Sequence, residues 1–472
     1  MKVRDTSAGP IDHTAFFAEH ESEVRSYCRR LPSLLTTAKG ASVFDVQGRQ
    51  YVDLLSACGA LNYGHNHPIL KAAAIDYLLS DGIAAALDLH TDAKFRFISE
   101  FEKRVLVPRG LRYKMQFPGP TGTNCVEAAI KLARKATGRN VVVAFTNAFH
   151  GVSSGALSAT ASAASRRSAR GLLHGVVRLP YDGYRGADVR DLARFEAMAL
   201  DPSGGIDPVA AFIVETVQGE GGLNVASAEW LSALAATAER LGAVLIVDDI
   251  QAGCGRAGGF FSFERAGLVP DLVCLAKSIG GFGFPMSLLL IRPELDVWSP
   301  GEHNGTFRGN SLAFVTAAKA LQLWTEDFIS NVNASALMLR QWCDRIVGAF
   351  PKQLKHKGIG MMQGLEFAVP QRAAKVADLA ARSGIIIECC GPQDEVLKVM
   401  APLNIDAGLF ASTLERLGEI VESVLLRSGA VLKLQLDEAV LDSHDHCGDS
   451  VTGTELPHRI ADVEFDGLLR NG

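Results

Sequence analysis

Short uninterrupted apolar runs at residues 141–145, 210–214, 244–247, 272–276 and 287–291 constrain this chain more than any other feature. Between them, residues 124–137, 228–241 and 312–324 carry apolar positions every three to four residues, the spacing of a helix with one buried face. A strand apolar on both sides must be covered on both sides. Strands of this kind alternating with helices therefore predict an α/β fold with a mainly parallel sheet flanked by helices. In such sheets ligands gather beyond the carboxyl ends of the strands. Glu215, Asp248 and Lys277 stand at those ends.

At 472 residues the chain is too long for one simple core, so two or three domains are expected. Residues 70–327 hold the strand–helix alternation and are expected to form the large domain. Residues 1–69, with a turn-rich meander at 37–55, pair in expectation with residues 328–426 as a smaller α+β domain drawn from both chain ends. The second of these segments offers strand candidates at 360–367 and 384–390 and a helix at 407–426. Residues 427–472 form an acidic tail with nine Asp/Glu against four Lys/Arg. It is expected to be partly disordered, or draped over the small domain through Leu432, Leu434, Leu436 and Val440. No internal repeat is present.

The body before the tail carries 43 charges of each sign, which gives no electrostatic basis for nucleic-acid binding. Nine scattered cysteines without paired spacing suggest reduced thiols. The N-terminal stretch lacks the apolar core of a signal peptide, and no uncharged apolar run approaches a membrane span. A cytoplasmic location follows as the expectation. His444, His446 and Cys447 are metal-ligand types, but they crowd into four residues of one polar segment. A closed metal site draws on more than one element, so no metal is expected.

Lys277 lies 29 residues after Asp248, and both end apolar runs. That arrangement suits an aldehyde cofactor with a pyridine ring, the amine condensing with the aldehyde and the acid keeping the ring nitrogen protonated. A structural salt bridge to an arginine is the other reading of Asp248. Gly119-Pro-Thr-Gly122-Thr123-Asn124 runs into a helical pattern, so the Gly122 and Thr123 amides and the Thr123 hydroxyl can cup a phosphate, or the segment is a plain Thr/Asn helix cap. In Phe149-His150-Gly151 the aromatic ring either stacks on a flat heterocycle or belongs to the core. Glu215-Thr-Val-Gln-Gly-Glu220-Gly-Gly reads equally as a solvated loop or as a backbone approaching a ligand. His303-Asn-Gly-Thr306-Phe-Arg308-Gly-Asn310 is polar and glycine-broken, as a surface turn would also be.

In this order and spacing the motifs resemble the class III aminotransferases, fold-type I enzymes dependent on pyridoxal 5′-phosphate, over about residues 22–426. Gly119–Asn124, Leu61-Asn-Tyr-Gly-His-Asn-His-Pro68 and Gly305-Thr-Phe-Arg-Gly-Asn310 look like the diaminobutyrate–2-oxoglutarate transaminase branch. The resemblance implies transfer of the amino group of L-glutamate to L-aspartate 4-semialdehyde by a reversible ping-pong reaction. The alternative within the class is another ω-amino substrate of the ornithine, 4-aminobutyrate or acetylornithine kind. It also implies that Lys277 holds the cofactor covalently and shuttles the proton, and that Asp248 holds the pyridine nitrogen. Gln251 would approach the ring hydroxyl, Phe149 would stack, His150 and Glu215 would line the cofactor, and Gly122 and Thr123 would bind the phosphate. Thr306 would reach the phosphate of a neighbouring subunit, making a homodimer the minimum assembly. Two departures stand out: Val152 and Lys398 occupy positions where ornithine- and 4-aminobutyrate-type relatives have arginines. Lys398 can still pair with Glu220 or a carboxylate, though without a bidentate fork. Arg308 is the candidate for a substrate-carboxylate contact across the subunit boundary, and bracing of that boundary is its rival role.

Overall fold

The computed structural model describes residues 12–31 and 33–444, with side chains as far as Leu426. Contacts divide the chain into two units with the boundary between Val424 and Leu425. The helix expected at 407–426 begins as expected, but its backbone continues as Ala407–His444. His446, Cys447 and the side chains of Leu432, Leu434, Leu436 and Val440 lie outside the described residues.

Seven strands make the central sheet: β1 (Lys114–Gln116), β2 (Val141–Phe145), β3 (Val176–Leu179), β4 (Val209–Val214), β5 (Val244–Asp248), β6 (Leu272–Leu275) and β7 (Leu288–Ile291). Their spatial order is β1-β7-β6-β5-β4-β2-β3. Every residue of β2, β4, β5, β6 and β7 is buried, as their unbroken apolar composition requires. Alternate residues face opposite layers. Val142, Ala144, Ala211, Ile213, Val244 and Ile246 join the layer of helix α1 (Gly122–Thr137), which contributes Val126, Ala129, Ile130 and Leu132. Val143, Phe145, Phe212, Val214, Leu245 and Val247 face the other layer, with Phe97, Trp230 and Phe314. Truncating a side chain such as Ile246, which is 0% exposed, would cost about 2–5 kcal/mol.

One strand departs from a parallel reading: β7 runs antiparallel to both β6 and β1. An apolar run reports burial, not direction. Between Leu275 and Leu288 there is only a 3₁₀ turn, Lys277–Gly280, and no crossover helix to bring the chain back for a parallel strand. The edge strands β1 and β3 are short or half-buried and carry no unbroken apolar run.

Among the described residues three smaller sheets complete the body, one of them the two-stranded pair Val217–Gln218 and Asn224–Val225. Leu35–Lys39, Ser42–Asp45 and Gln50–Asp53 form an antiparallel meander. Leu354–Ile359, Met362–Phe367, Val396–Val399 and Glu388–Cys390 form a second antiparallel sheet. The single strand expected at 384–390 is in fact two. Ile385–Ile386 pairs in parallel with Gln50–Asp53, and Glu388–Cys390 crosses to the second sheet opposite Val396–Val399. The break at Ile387 stitches the N-terminal meander to the C-terminal segment and sets Glu388 directly across from Lys398. Among the described residues no helix is long and apolar enough to cross a membrane.

Candidate active site

Asp248 ends β5 and is in register with Cys274 of β6; Lys277 follows three residues later, just past the end of that neighbouring strand. The sheet thus delivers acid and amine to adjoining strand ends. Asp248 Oδ2 lies 2.7 Å from His150 Nδ1, and Asp248 Oδ1 accepts from the Ile250 amide at 3.2 Å. His150 is fully enclosed. Burial opposes its protonation, but the hydrogen bond and charge of Asp248, aided by Glu215, outweigh it and raise the imidazole's pKa. His150 Nε2 has no partner among the described residues. Glu215, just past β4, accepts from the Phe149 amide at 3.0 Å and the Gly219 amide at 3.4 Å. Burial pushes its pKa up to about 7 against the pull of His150.

Lys277 has a left-handed backbone, φ +54°, and its Nζ donates to the Cys58 carbonyl at 2.9 Å. Burial holds its amine below the ordinary lysine pKa, with Glu220 and Glu388 pulling the other way and Lys398 adding to burial. The acceptor comes from an unusual turn. Ser56, Ala57 and Cys58 all have positive φ (+49°, +48° and +56°), a conformation costing about 1–3 kcal/mol per non-glycine residue. Asp53 holds that turn by accepting from the Leu55 and Ser56 amides, each at 2.8 Å.

Gln251 bridges two sides of the site, its Nε2 donating to the Cys58 carbonyl at 3.3 Å and to Glu220 Oε1 at 3.1 Å. A Cβ at Gly219 would collide with the Gln251 side chain, which explains one of the glycines in the 215–222 segment. Lys398, 0% exposed, donates to Glu220 Oε1 at 2.8 Å and lies 2.9 Å from Glu388 Oε1. Burial works against the Glu220 charge, but Lys398 and then Lys277 overcome it and draw its pKa down to about 2.

At the start of α1 the cap is Thr121, whose amide and hydroxyl both donate to Asn124 Oδ1 (3.2 and 2.8 Å). The cap therefore spends Thr121 and Asn124. Gly122 and Thr123 are the first two helical residues, whose amides have no intrahelical acceptor. Thr123 Oγ1 meets Ser153 Oγ at 2.5 Å, and Ser153 donates to Glu127 Oε1 at 2.7 Å. Glu127 Oε1 also accepts from the Gly155 and Ala156 amides, fixing this corner.

Contacts gather the expected residues into two groups: Asp248 with His150, and Lys277, Gln251, Glu220 and Lys398 joined through the Cys58 carbonyl, while Glu215 holds the Phe149 and Gly219 amides. Thr306 and Arg308 join neither group. Thr306 is exposed, and Arg308 donates to Asn304 Oδ1 at 2.7 Å with Asp88 at 3.6 Å. Val152 is 61% exposed. Cys58, Ser153 and Glu388 were missed from the sequence. A signal for Glu388 existed: it is a lone carboxylate in an apolar run, and Lys398 is a lone cation in another.

A fold of this topology with a lysine and an acid at adjoining strand ends defines a recognisable class. The model of the class-III aminotransferases matches residues 26–421, and the chain belongs to that family. It is 51% identical over 413 residues to the diaminobutyrate–2-oxoglutarate transaminase of Vibrio cholerae, covering 87% of this chain and 99% of that protein. The enzyme of the same name from Nocardia farcinica is 50% identical over 394 residues, 83% of this chain and 90% of the relative. Among solved structures, ornithine aminotransferase from Toxoplasma gondii superposes with a TM-score of 0.75 at 25% identity, covering 88% of this chain and 95% of that one.

The family's cofactor is pyridoxal 5′-phosphate, and the residues fit it. The amine of Lys277 is held below its ordinary pKa beside a buried acid. His150 Nε2 and Gln251 Oε1 are buried without partners. Gly151, at φ +120°, packs so closely on Thr123 that a Cβ there would collide with its side chain, which fixes the glycine beside the start of α1.

Proposed function

We propose that this chain transfers the amino group of L-glutamate to L-aspartate 4-semialdehyde, giving L-2,4-diaminobutyrate and 2-oxoglutarate. The observation that carries the reading is the delivery of Lys277 and Asp248 to adjoining strand ends, in a chain half-identical over 413 residues to a diaminobutyrate–2-oxoglutarate transaminase. When bound, pyridoxal phosphate supplies an aldehyde and a ring that accepts an electron pair.

The chain's own residues supply the rest. Lys277, its amine eased towards the neutral form by burial, is the attachment point and the base that moves a proton at the substrate carbon. Asp248, kept in place by His150 and the Ile250 amide, is the anion that pairs with a protonated ring nitrogen. His150 transmits no proton in this reading; it orients Asp248. The Gly122 and Thr123 amides would hold the phosphate at the start of α1, where the helix dipole favours an anion. Phe149 would stack on the ring and Gln251 would approach its hydroxyl, with Glu215 holding the Phe149 amide. Assembly is at least a homodimer, supported by the exposed Leu79 and Phe307, and the location is cytoplasmic.

The test uses purified holoenzyme and adds one substrate at a time. Added L-glutamate should bleach the absorbance of the lysine-bound cofactor and release one equivalent of 2-oxoglutarate per site; aspartate semialdehyde should then restore the colour. Restoration by 2-oxoglutarate but not by aspartate semialdehyde would leave an aminotransferase with a different amino acceptor.

A further inference from the structure

Glu388 is a buried carboxylate, 6% exposed, for which the cofactor chemistry has no use. Its Oε1 lies 2.9 Å from Lys398 Nζ, while its Oε2, among the described residues, meets only the Cys58 thiol, at a loose 3.9 Å. The same residue, Cys58, gives its carbonyl to Lys277, so Glu388 stands one residue away from the reacting amine. On the other side of Lys398, Glu220 uses Oε1 for Lys398 and Gln251. Its Oε2 takes no hydrogen bond among the described residues, and the side chain keeps 32% of its exposure.

Counting charge around Lys277 gives two carboxylates, Glu220 and Glu388, and one enclosed cation, Lys398, paired with both. Once Lys277 is committed to the cofactor, one negative charge is left without a partner. The titration of Glu388 reflects the same shortage: burial raises its pKa, Lys398 opposes, and Glu220 pushes it up further. Lys398 is wholly enclosed and held at 2.8 and 2.9 Å by the two acids. To receive a substrate carboxylate it would have to abandon both. The wall beside Lys277 is therefore short of a cation rather than short of an anion.

We propose that Glu388, together with Glu220, forms the subsite that receives the second ammonium group of an α,ω-diamino acid while its other amino group is at Lys277. This rests on the diaminobutyrate reading above and adds the residue that selects for it. Lys398 is the positioning residue that holds the two acids in place. Cys58 borders both, its carbonyl at Lys277 and its thiol at Glu388, and the Tyr27 hydroxyl, 3.0 Å from the Cys58 sulfur, braces it.

The experiment compares two amino donors that differ only in that ammonium: L-2,4-diaminobutyrate and 4-aminobutyrate, each with 2-oxoglutarate, on holoenzyme. Wild-type kcat/KM should favour the diamino acid. Glu388→Gln, which keeps the shape and removes the charge, should compress that preference by at least about tenfold, the scale of one hydrogen bond to a charged group. Glu388→Asp should restore part of it. If Glu388 merely anchored Lys398, both donors would lose equally and the ratio would not move, which overturns the proposal. A wild-type enzyme that takes both donors equally well also overturns it, without any variant. Failure of wild-type enzyme to use diaminobutyrate at all, with the glutamate half-reaction intact, instead rejects the substrate reading on which the proposal rests.

Discussion

On one side of Lys277, Glu215 and Asp248 project from the ends of neighbouring strands β4 and β5, every residue of which is buried. On the other side, Cys58, Glu388 and Lys398 arrive from opposite ends of the chain, Cys58 and Glu388 being 330 positions apart. The first wall is part of the sheet and inherits its rigidity. The second is assembled from a strained turn, two short strands and a buried ion-pair set, and it depends on each of these being in place. The rigid wall holds groups that face the cofactor, and the assembled wall holds groups available to a substrate. A transaminase that must admit two different substrates at one cofactor has reason to divide its site in this way.

The largest effect should come at the seam of the two walls. Lys277→Ala removes both the attachment point and the proton carrier, and kcat/KM for transamination should fall by at least about 10³-fold. Activity within tenfold of wild type, measured after full cofactor loading, would mean that the sheet wall does not carry the chemistry. The change of preference expected for Glu388→Gln comes next and is specific to the assembled wall.

Gly219→Ala probes the bridge between them. The added methyl would displace Gln251, which contacts the Cys58 carbonyl and Glu220 at once. Overpacking of this kind costs about 1–3 kcal/mol. If about 1.4 kcal/mol of it is felt in the transition state, kcat/KM drops tenfold. An unchanged rate with an unchanged melting temperature would show that the walls are not coupled through Gln251.

The last expected effect is on stability alone, beneath the sheet wall, with no change of rate. Asp249 is buried, its Oδ1 has no partner among the described residues, and burial raises its pKa from 3.8 to about 7 against hydrogen bonds from Ser262. A carboxyl whose folded pKa is raised contributes stability that is complete below 3.8 and is lost as pH rises to about 7. Across that window the slope approaches about 1.4 kcal/mol per pH unit. Asp249→Asn should therefore flatten the decline in melting temperature between pH 5 and 7. An identical pH profile in the variant would assign the titration elsewhere.

The sheet wall was readable from residues alone because its physics is local. A strand buried on both faces must be apolar throughout, so an acid or a lysine at its end is conspicuous, and Glu215, Asp248 and Lys277 stood out accordingly. The start of α1 was half readable. The glycine–threonine segment announces a helix terminus, but only the structure assigns the cap to Thr121 and Asn124 and leaves the Gly122 and Thr123 amides over. His150 was marked by its neighbours Phe149 and Gly151, while its bond to Asp248, 98 residues away, was not legible.

What the sequence determined by itself was therefore the α/β class, the mainly parallel sheet and the residues at its carboxyl edge, since burial and periodicity follow from side-chain hydrophobicity along a short stretch of chain. Tertiary structure alone decided the reversal of β7, the division of 384–390 between two sheets at Ile387, and the enclosure of Lys398 by Glu220 and Glu388. Strand direction and sheet membership depend on connections and registers between distant segments. The partner of a buried charge likewise depends on which other elements share its layer, and no local pattern records that.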